Sequence, residues 1–150
     1  MGVFIPNIAK GRVAELGALA AANDAFIWAL FKAAGLETDA VLRDKVSMTD
    51  FVSGATDEAD FTGYARVTAT GVIVTVDQAN DWVLVTANNP SWSPTTAQGL
   101  GKIGLFYDYD TTGGTDSSLI PVFVDDYVLT TPTTGSVAYT VAAGGFLKAS

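Results

Sequence analysis

The chain has 150 residues, the size of one ordinary domain, and its 49% apolar and 11% aromatic residues supply the material for a core of its own. It contains no cysteine and no histidine, which excludes disulfides, thiol nucleophiles, Ser-His-Asp relays and histidine-liganded zinc. The net charge of −8 disfavours binding to the phosphate backbone of nucleic acids. Charged residues make up only 16% of the chain, so much of the surface must be neutral or apolar, which favours lasting contact with other proteins.

The N-terminal part of the chain predicts short helices around one buried strand. Residues 7–22 are expected to form a helix, because Asn7 can cap it and apolar residues recur at helical spacing. Residues 25–33 are apolar on both faces and rich in aromatics, which favours a buried strand, with a helix as the alternative. Residues 38–45 and 49–52 predict a short helix and a helical turn. Residues 1–8 lack a basic region followed by an apolar core and a cleavage site, so no secretion signal is expected. The longest apolar stretch, 16–36, is interrupted by Asn23, Asp24 and Lys32, so no membrane helix is expected.

The texture changes to β from residue 56 onward. Alternating and apolar runs predict strands at 63–70, 72–76, 82–87, 102–109, 118–130, 137–141 and 146–147, with a turn at 88–91. Strands at this spacing, separated by turn residues, predict a mainly β (α+β) fold: an antiparallel β-sandwich or barrel in a single domain over residues 1–150. Pro121 lies inside one of these runs, so that strand should be an edge strand or carry a bulge.

One acidic loop resembles half of a calcium site. Asp108, Asp110, Thr112 and Gly113 follow the front of a calcium loop, but Leu119 stands where a bidentate glutamate is required. Asp116 follows closely and completes a weak set of metal candidates: Asp108, Asp110 and Asp116. The expectation is an ordinary turn with no metal, and no cofactor is expected elsewhere.

Paired carboxylates are the raw material of glycosidase chemistry, and the chain has two such pairs. Asp125 and Asp126 are neighbours on a strand and should point to opposite faces, so they cannot act on one bond. Asp57 and Glu58 lie in a polar loop. Both pairs are therefore expected to be solvated acids, and the protein is not expected to be an enzyme.

Aromatic residues on the β segments leave a carbohydrate-binding alternative open. Trp82, Trp92 and Tyr64 could form a platform for sugar rings, although core packing is the commoner role of such residues.

Several short sequence segments resemble those of a known group of proteins. They are residues 7–15, 35–42, 62–66 and 107–116, with the following strand at 119–124. In these the chain resembles head-associated minor capsid and decoration proteins of tailed bacteriophages, particularly those that infect actinobacteria. The resemblance implies a β-sandwich or barrel on the capsid surface of the virion, bound to the outside of the major capsid protein shell, often as a homotrimer at local threefold positions. It carries no catalytic residues. Tail, neck and baseplate proteins share the same compositional style and remain alternatives, as does a carbohydrate-binding module of the virion.

Two segments are predicted to contact partner proteins. The first segment is Val3, Phe4 and Ile5, because apolar residues before a helix cap contribute little stability unless another surface covers them. The alternative is that they pack on the chain's own sheet. The second segment is the loop at 88–92, with Asn89, Pro90 and Trp92.

Overall fold

The computed structural model describes residues 2–10, 22–77, 79 and 82–149. It confirms the predicted mainly β fold, with antiparallel sheets and a few short helices. The described helices are α1 Asn7–Lys10, α2 Asp39–Leu42 and α3 Met48–Phe51. The described strands are β1 Ala25–Lys32, β2 Val67–Thr68, β3 Ile73–Asp77, β4 Trp82–Thr86, β5 Ser91–Trp92, β6 Gly99–Asp108, β7 Ile120–Thr130, β8 Val137–Ala138 and β9 Leu147–Ala149.

The described strands form three antiparallel sheets. The largest has the order β2-β1-β6-β7, the second has the order β3-β4-β9, and β5 pairs with β8. In the largest sheet Trp28 lies opposite Leu105 and Phe31 lies opposite Lys102. The β1–β6–β7 ladders are the longest in the described chain and form the frame on which the other elements are placed.

Apolar side chains cover both faces of this four-stranded sheet. Successive residues of a strand point to opposite faces, so β1 sends Phe26, Trp28 and Leu30 to one side and Ala29 and Phe31 to the other. The first side packs against residues of the two smaller sheets and against Ala9 of α1, and the second packs against helices α2 and α3. Full burial of one large apolar side chain contributes about 1.5–3 kcal/mol, so these two clusters dominate the stability. The packing partners are Val85, Leu147, Trp92 and Val137 on the first side, and Leu42, Met48, Phe51 and Phe106 on the second.

The short helices depend on this packing. Helix α3 has only four residues, too few to be stable alone. Its cap is Ser47, whose Oγ accepts a hydrogen bond from the Asp50 N–H at 3.1 Å. The N–H of Met48 donates to the Leu119 carbonyl, and the side chains of Met48 and Phe51 are buried. The apolar face thus fixes α3 on the sheet.

Most of the predicted elements are present, and several are shorter than expected. The predicted helix at 7–22 is described only over Asn7–Lys10, and residues 11–21 lie outside the described part. The strand predicted at 63–70 is confined to Val67–Thr68, because Gly63 adopts a positive φ of 94° and the chain turns there. The strand predicted at 137–141 likewise pairs only over its first two residues.

The prediction for Pro121 is confirmed in both forms. Strand β7 is the last strand of its sheet, and the register shifts between Leu105 and Phe106, where Phe106 lies opposite Pro121. Proline has no N–H to donate to a ladder, so an edge position with an irregular register accommodates it.

Candidate interaction surface

Strand β3 pairs with β4 on one side, and among the described residues no strand pairs with its other side, which we call the open edge of β3. Ile73, Val74 and Val76 are 58%, 41% and 64% exposed. Edge strands are usually protected by charged residues, proline or bulges, because their free N–H and C=O groups can pair with another chain. Within β3 the only charged residue is Asp77, at its end.

Both faces of β3 carry apolar side chains. Val74 lies opposite the fully buried Val85 and therefore points to the core side of the sheet, whereas Ile73 lies opposite Thr86 and points to the other side. Val76 lies on the same face as Val74, and Thr75 lies on the same face as Ile73. The open edge of β3 is therefore apolar mainly on the core side of its sheet.

The predicted N-terminal contact segment is divided between surface and core. Val3 is 60% exposed. Phe4 is buried, and its backbone pairs with Val124 of β7 through N–H···O distances of 2.9 and 3.0 Å. Ile5 is half-buried against the core. Phe4 therefore packs on the chain's own sheet and is not available to a partner.

The predicted contact loop is also used within the chain. Asn89 is exposed, and its Oδ1 accepts a hydrogen bond from the Val141 N–H at 2.8 Å. Pro90 is buried, and its carbonyl accepts from the Tyr139 N–H. Trp92 is buried, and its Nε1 donates to the Ala65 carbonyl at 2.8 Å. Since burial removes Pro90 and Trp92 as well as Phe4, Val3 and Asn89 are the exposed members of the predicted contact set.

The aromatic platform is not formed by the two rings whose positions are described. Trp92 is a core residue. Tyr64 is half-buried, and its hydroxyl donates to Glu58 at 2.6 Å and accepts from the Leu30 N–H. Burial and the charge of Glu58 raise the pKa of Tyr64. The side chain of Trp82 lies outside the described part.

Arg66 joins two distant acids. Its guanidinium donates to both oxygens of Glu58 at 2.8 and 2.7 Å, and to both oxygens of Asp116 at 2.6 and 2.8 Å. Hydrogen bonds from Arg66 lower the pKa of Asp116, and the two carboxylates raise the pKa of Arg66. The expectation that Glu58 is a solvated acid is therefore wrong, because the fold brings a bidentate cation to it.

The acidic loop forms turns. The Asp110 N–H donates to Asp108 Oδ1 at 3.0 Å, and the N–H and hydroxyl of Thr112 donate to Asp110 Oδ1 at 3.1 and 2.6 Å. These are the local side-chain bonds of Asx turns. Asp116 pairs with Arg66 and does not join the other two acids. Among the described residues no group of three or more acidic side chains is arranged to hold a metal ion.

A lysine is fully buried in the large sheet. Lys102 is 0% exposed, and its Nζ lies 2.8 Å from Asp39 and 2.5 Å from Asp126. Burial opposes its charge, but hydrogen bonds from the ammonium to Asp126 and Asp39 outweigh this and raise the pKa of Lys102. The expectation that Asp126 is a solvated acid is therefore wrong. The one sequence feature that could have indicated these ion pairs is the position of Lys102 as a single lysine in the apolar run at 99–106.

The predicted divergence of Asp125 and Asp126 is confirmed. Asp126 binds Lys102 on the helix side of the sheet, whereas Asp125 accepts a hydrogen bond from the Tyr139 hydroxyl at 2.6 Å on the other side. The two carboxylates cannot converge on one substrate bond.

Comparisons with protein-family models, curated proteins and solved structures found no match to this chain. In the part of the chain that the structure describes, no helix has the length and apolar character needed to cross a membrane.

Proposed function

We propose that this protein is a structural subunit that attaches to other proteins through the open edge of β3, and that it serves as a bacteriophage virion protein of the capsid decoration type. The observation that carries the proposal is the exposed apolar edge strand: Ile73, Val74 and Val76 are exposed while the outer backbone of β3 has no described strand beside it. An edge of this kind is suited to strand addition, in which main-chain hydrogen bonds give affinity and side chains give specificity.

The energetics favour a partner that covers this edge. Val74 already points to the core side of the sheet, so a partner that extends the sheet would also extend the apolar layer. Burial of apolar surface yields about 25 cal/mol per Å². A stable specific interface needs about 1,200 Å² in total, so β3 would be the centre of a larger contact surface.

The proposal of a virion protein is supported by the sequence segments that resemble phage head proteins, such as Thr62–Arg66 and Tyr107–Asp116. It places the subunit on the outside of the shell of the major capsid protein, as a homotrimer at local threefold positions. The net charge of −8 suits this location, because an acidic outer surface keeps particles apart in solution.

Co-sedimentation tests this function. Capsid shells assembled from the major capsid protein without this subunit would be mixed with wild-type protein and with the Val76→Lys variant. We expect the wild type to sediment with the shells and the variant to remain in the supernatant, because a charge on the covered strand is costly to desolvate.

The matched control is Val46→Lys, which changes an exposed valine in the segment between α2 and α3. It should bind as the wild type does. If the wild-type protein binds purified tails but not shells, the subunit is a tail protein and not a capsid decoration protein. If it binds neither, the proposal of a virion protein is contradicted.

A further inference from the structure

A cavity of about 340 Å³ opens on the helix side of the large sheet, away from β3. Its lining includes Ala33 and Leu36 after β1, Gly101 on β6 and Val128 on β7. Glu37 and Asp126 also line it. The volume lies at the lower end of the range of about 300–1,000 Å³ found for ligand pockets, enough for one long side chain.

Apolar groups form the body of the cavity. Val128 is 81% exposed, more than any other large apolar residue described, and Leu36 is half-buried. Gly101 keeps the space open, because a Cβ there would lie 2.8 Å from Leu36 Cδ2. The cavity thus offers an aliphatic surface over a glycine.

Each of its two carboxylates retains a free oxygen. Glu37 accepts a hydrogen bond from the Thr56 hydroxyl through Oε2, and Asp126 binds Lys102 through Oδ1. The hydrogen bonds described leave Glu37 Oε1 and Asp126 Oδ2 available. Both side chains are partly exposed, so a guest can reach them.

Both charged side chains in the lining of the cavity are acidic. Glu37 Oε2 lies 3.7 Å from Lys45 Nζ, and Asp126 Oδ1 lies 2.5 Å from Lys102 Nζ. Each of these ammonium groups is shared with a second carboxylate outside the lining, Asp50 or Asp39. A cationic guest would therefore be attracted by the two lining carboxylates, whereas a neutral guest would not.

We propose that this cavity binds a lysine or arginine side chain presented by a partner protein. The aliphatic stem lies on Leu36 and Val128, and the cationic head lies between the free oxygens of Glu37 and Asp126. Both basic side chains combine an apolar stem with a charged tip, which matches the division of the cavity into apolar and acidic parts. The cavity is separate from the open edge of β3, so this proposal does not depend on the proposed function and is tested separately.

The test is a titration of the isotope-labelled protein with n-butylguanidinium chloride at constant ionic strength, followed by amide NMR. Guanidinium chloride, which has the charge without the stem, and 1-butanol, which has the stem without the charge, are the matched probes. We expect n-butylguanidinium to shift the amide signals of Gly101 and Val128 and to bind more tightly than either probe.

Two variants locate the contacts. Glu37→Gln removes one carboxylate and should weaken binding by about 1.5- to 5-fold, the range of an exposed ion pair. Val128→Thr keeps the shape at a position so exposed that the fold is unaffected, and it should weaken binding by loss of apolar contact. If 1-butanol binds as tightly as n-butylguanidinium, or if neither variant changes its binding, the proposal is overturned. It is equally overturned if no signal near the cavity moves.

Discussion

Lys102 Nζ lies 2.5 Å from Oδ1 of Asp126, the residue directly opposite it in the β6–β7 ladder, although Lys102 has no exposed surface. The same ammonium lies 2.8 Å from Asp39, the first residue of α2. One buried cation therefore links a helix to two strands, and its removal would leave two acids without their partner.

We expect Lys102→Met to destabilise the protein by about 3 kcal/mol, because loss of one partner from a buried ion pair costs roughly 3–5 kcal/mol and these acids keep some access to water. Urea unfolding followed by tryptophan fluorescence measures the change.

The matched control removes the charges of all three residues of this buried ion-pair centre, Lys102, Asp39 and Asp126. Lys102→Met combined with Asp39→Asn and Asp126→Asn should recover most of the lost stability, since no charge is then left unpaired. A single variant that unfolds within about 1 kcal/mol of the wild type would show that the centre contributes little to stability.

Stability should fall at acid pH in part through Asp116. Arg66 lowers the pKa of Asp116 in the folded protein, so this carboxyl contributes stability above its unfolded pKa of about 3.9 and loses it as the pH falls through the folded value. Asp116→Asn should therefore be less stable than the wild type at pH 7, and the difference should narrow below about pH 4. Thermal unfolding across this range measures it, and a difference that stays constant with pH would refute the assignment.

Gly63 and Gly135 provide a test of close packing at matched backbone geometry. Their φ angles are 94° and 96°, so alanine at either position is strained by about 1–2 kcal/mol. A Cβ at Gly63 would also lie 2.5 Å from the Ser93 carbonyl oxygen, whereas at Gly135 nothing lies within 4 Å. Gly63→Ala should lower the midpoint of thermal unfolding more than Gly135→Ala does. Equal effects would mean that the segment at Ser93 moves aside at no cost.

The elements that could be predicted well are those that depend on the pattern of residues within a single segment. The two-sided apolar run of β1 and the proline of β7 identify a buried strand and an irregular edge, because both signals lie within one segment. Turn residues around Asp108 and Asp110 also act locally, through bonds to neighbours two residues away.

The ion pairs and the open edge could not be predicted in this way. Asp116 is 50 residues from Arg66, and Asp126 is 24 residues from Lys102, so only the tertiary fold brings them together. Strand β3 was recognisable as a strand, but its edge position depends on the order of strands in the sheet. The burial of Phe4, Pro90 and Trp92 within the chain could not be predicted for the same reason: an apolar side chain in a loop gives no indication of whether its own domain covers it.

Amide hydrogen exchange of Ile73–Asp77, in the free subunit and in the subunit bound to capsid shells, measures whether a partner strand pairs with the open edge of β3. Free backbone groups on an open edge exchange quickly, and they become protected when another strand pairs with them. We expect fast exchange at alternate residues of β3 in the free protein and strong protection in the bound protein. Exchange in β3 that is unchanged on binding, with protection elsewhere on the surface, would contradict attachment through this edge.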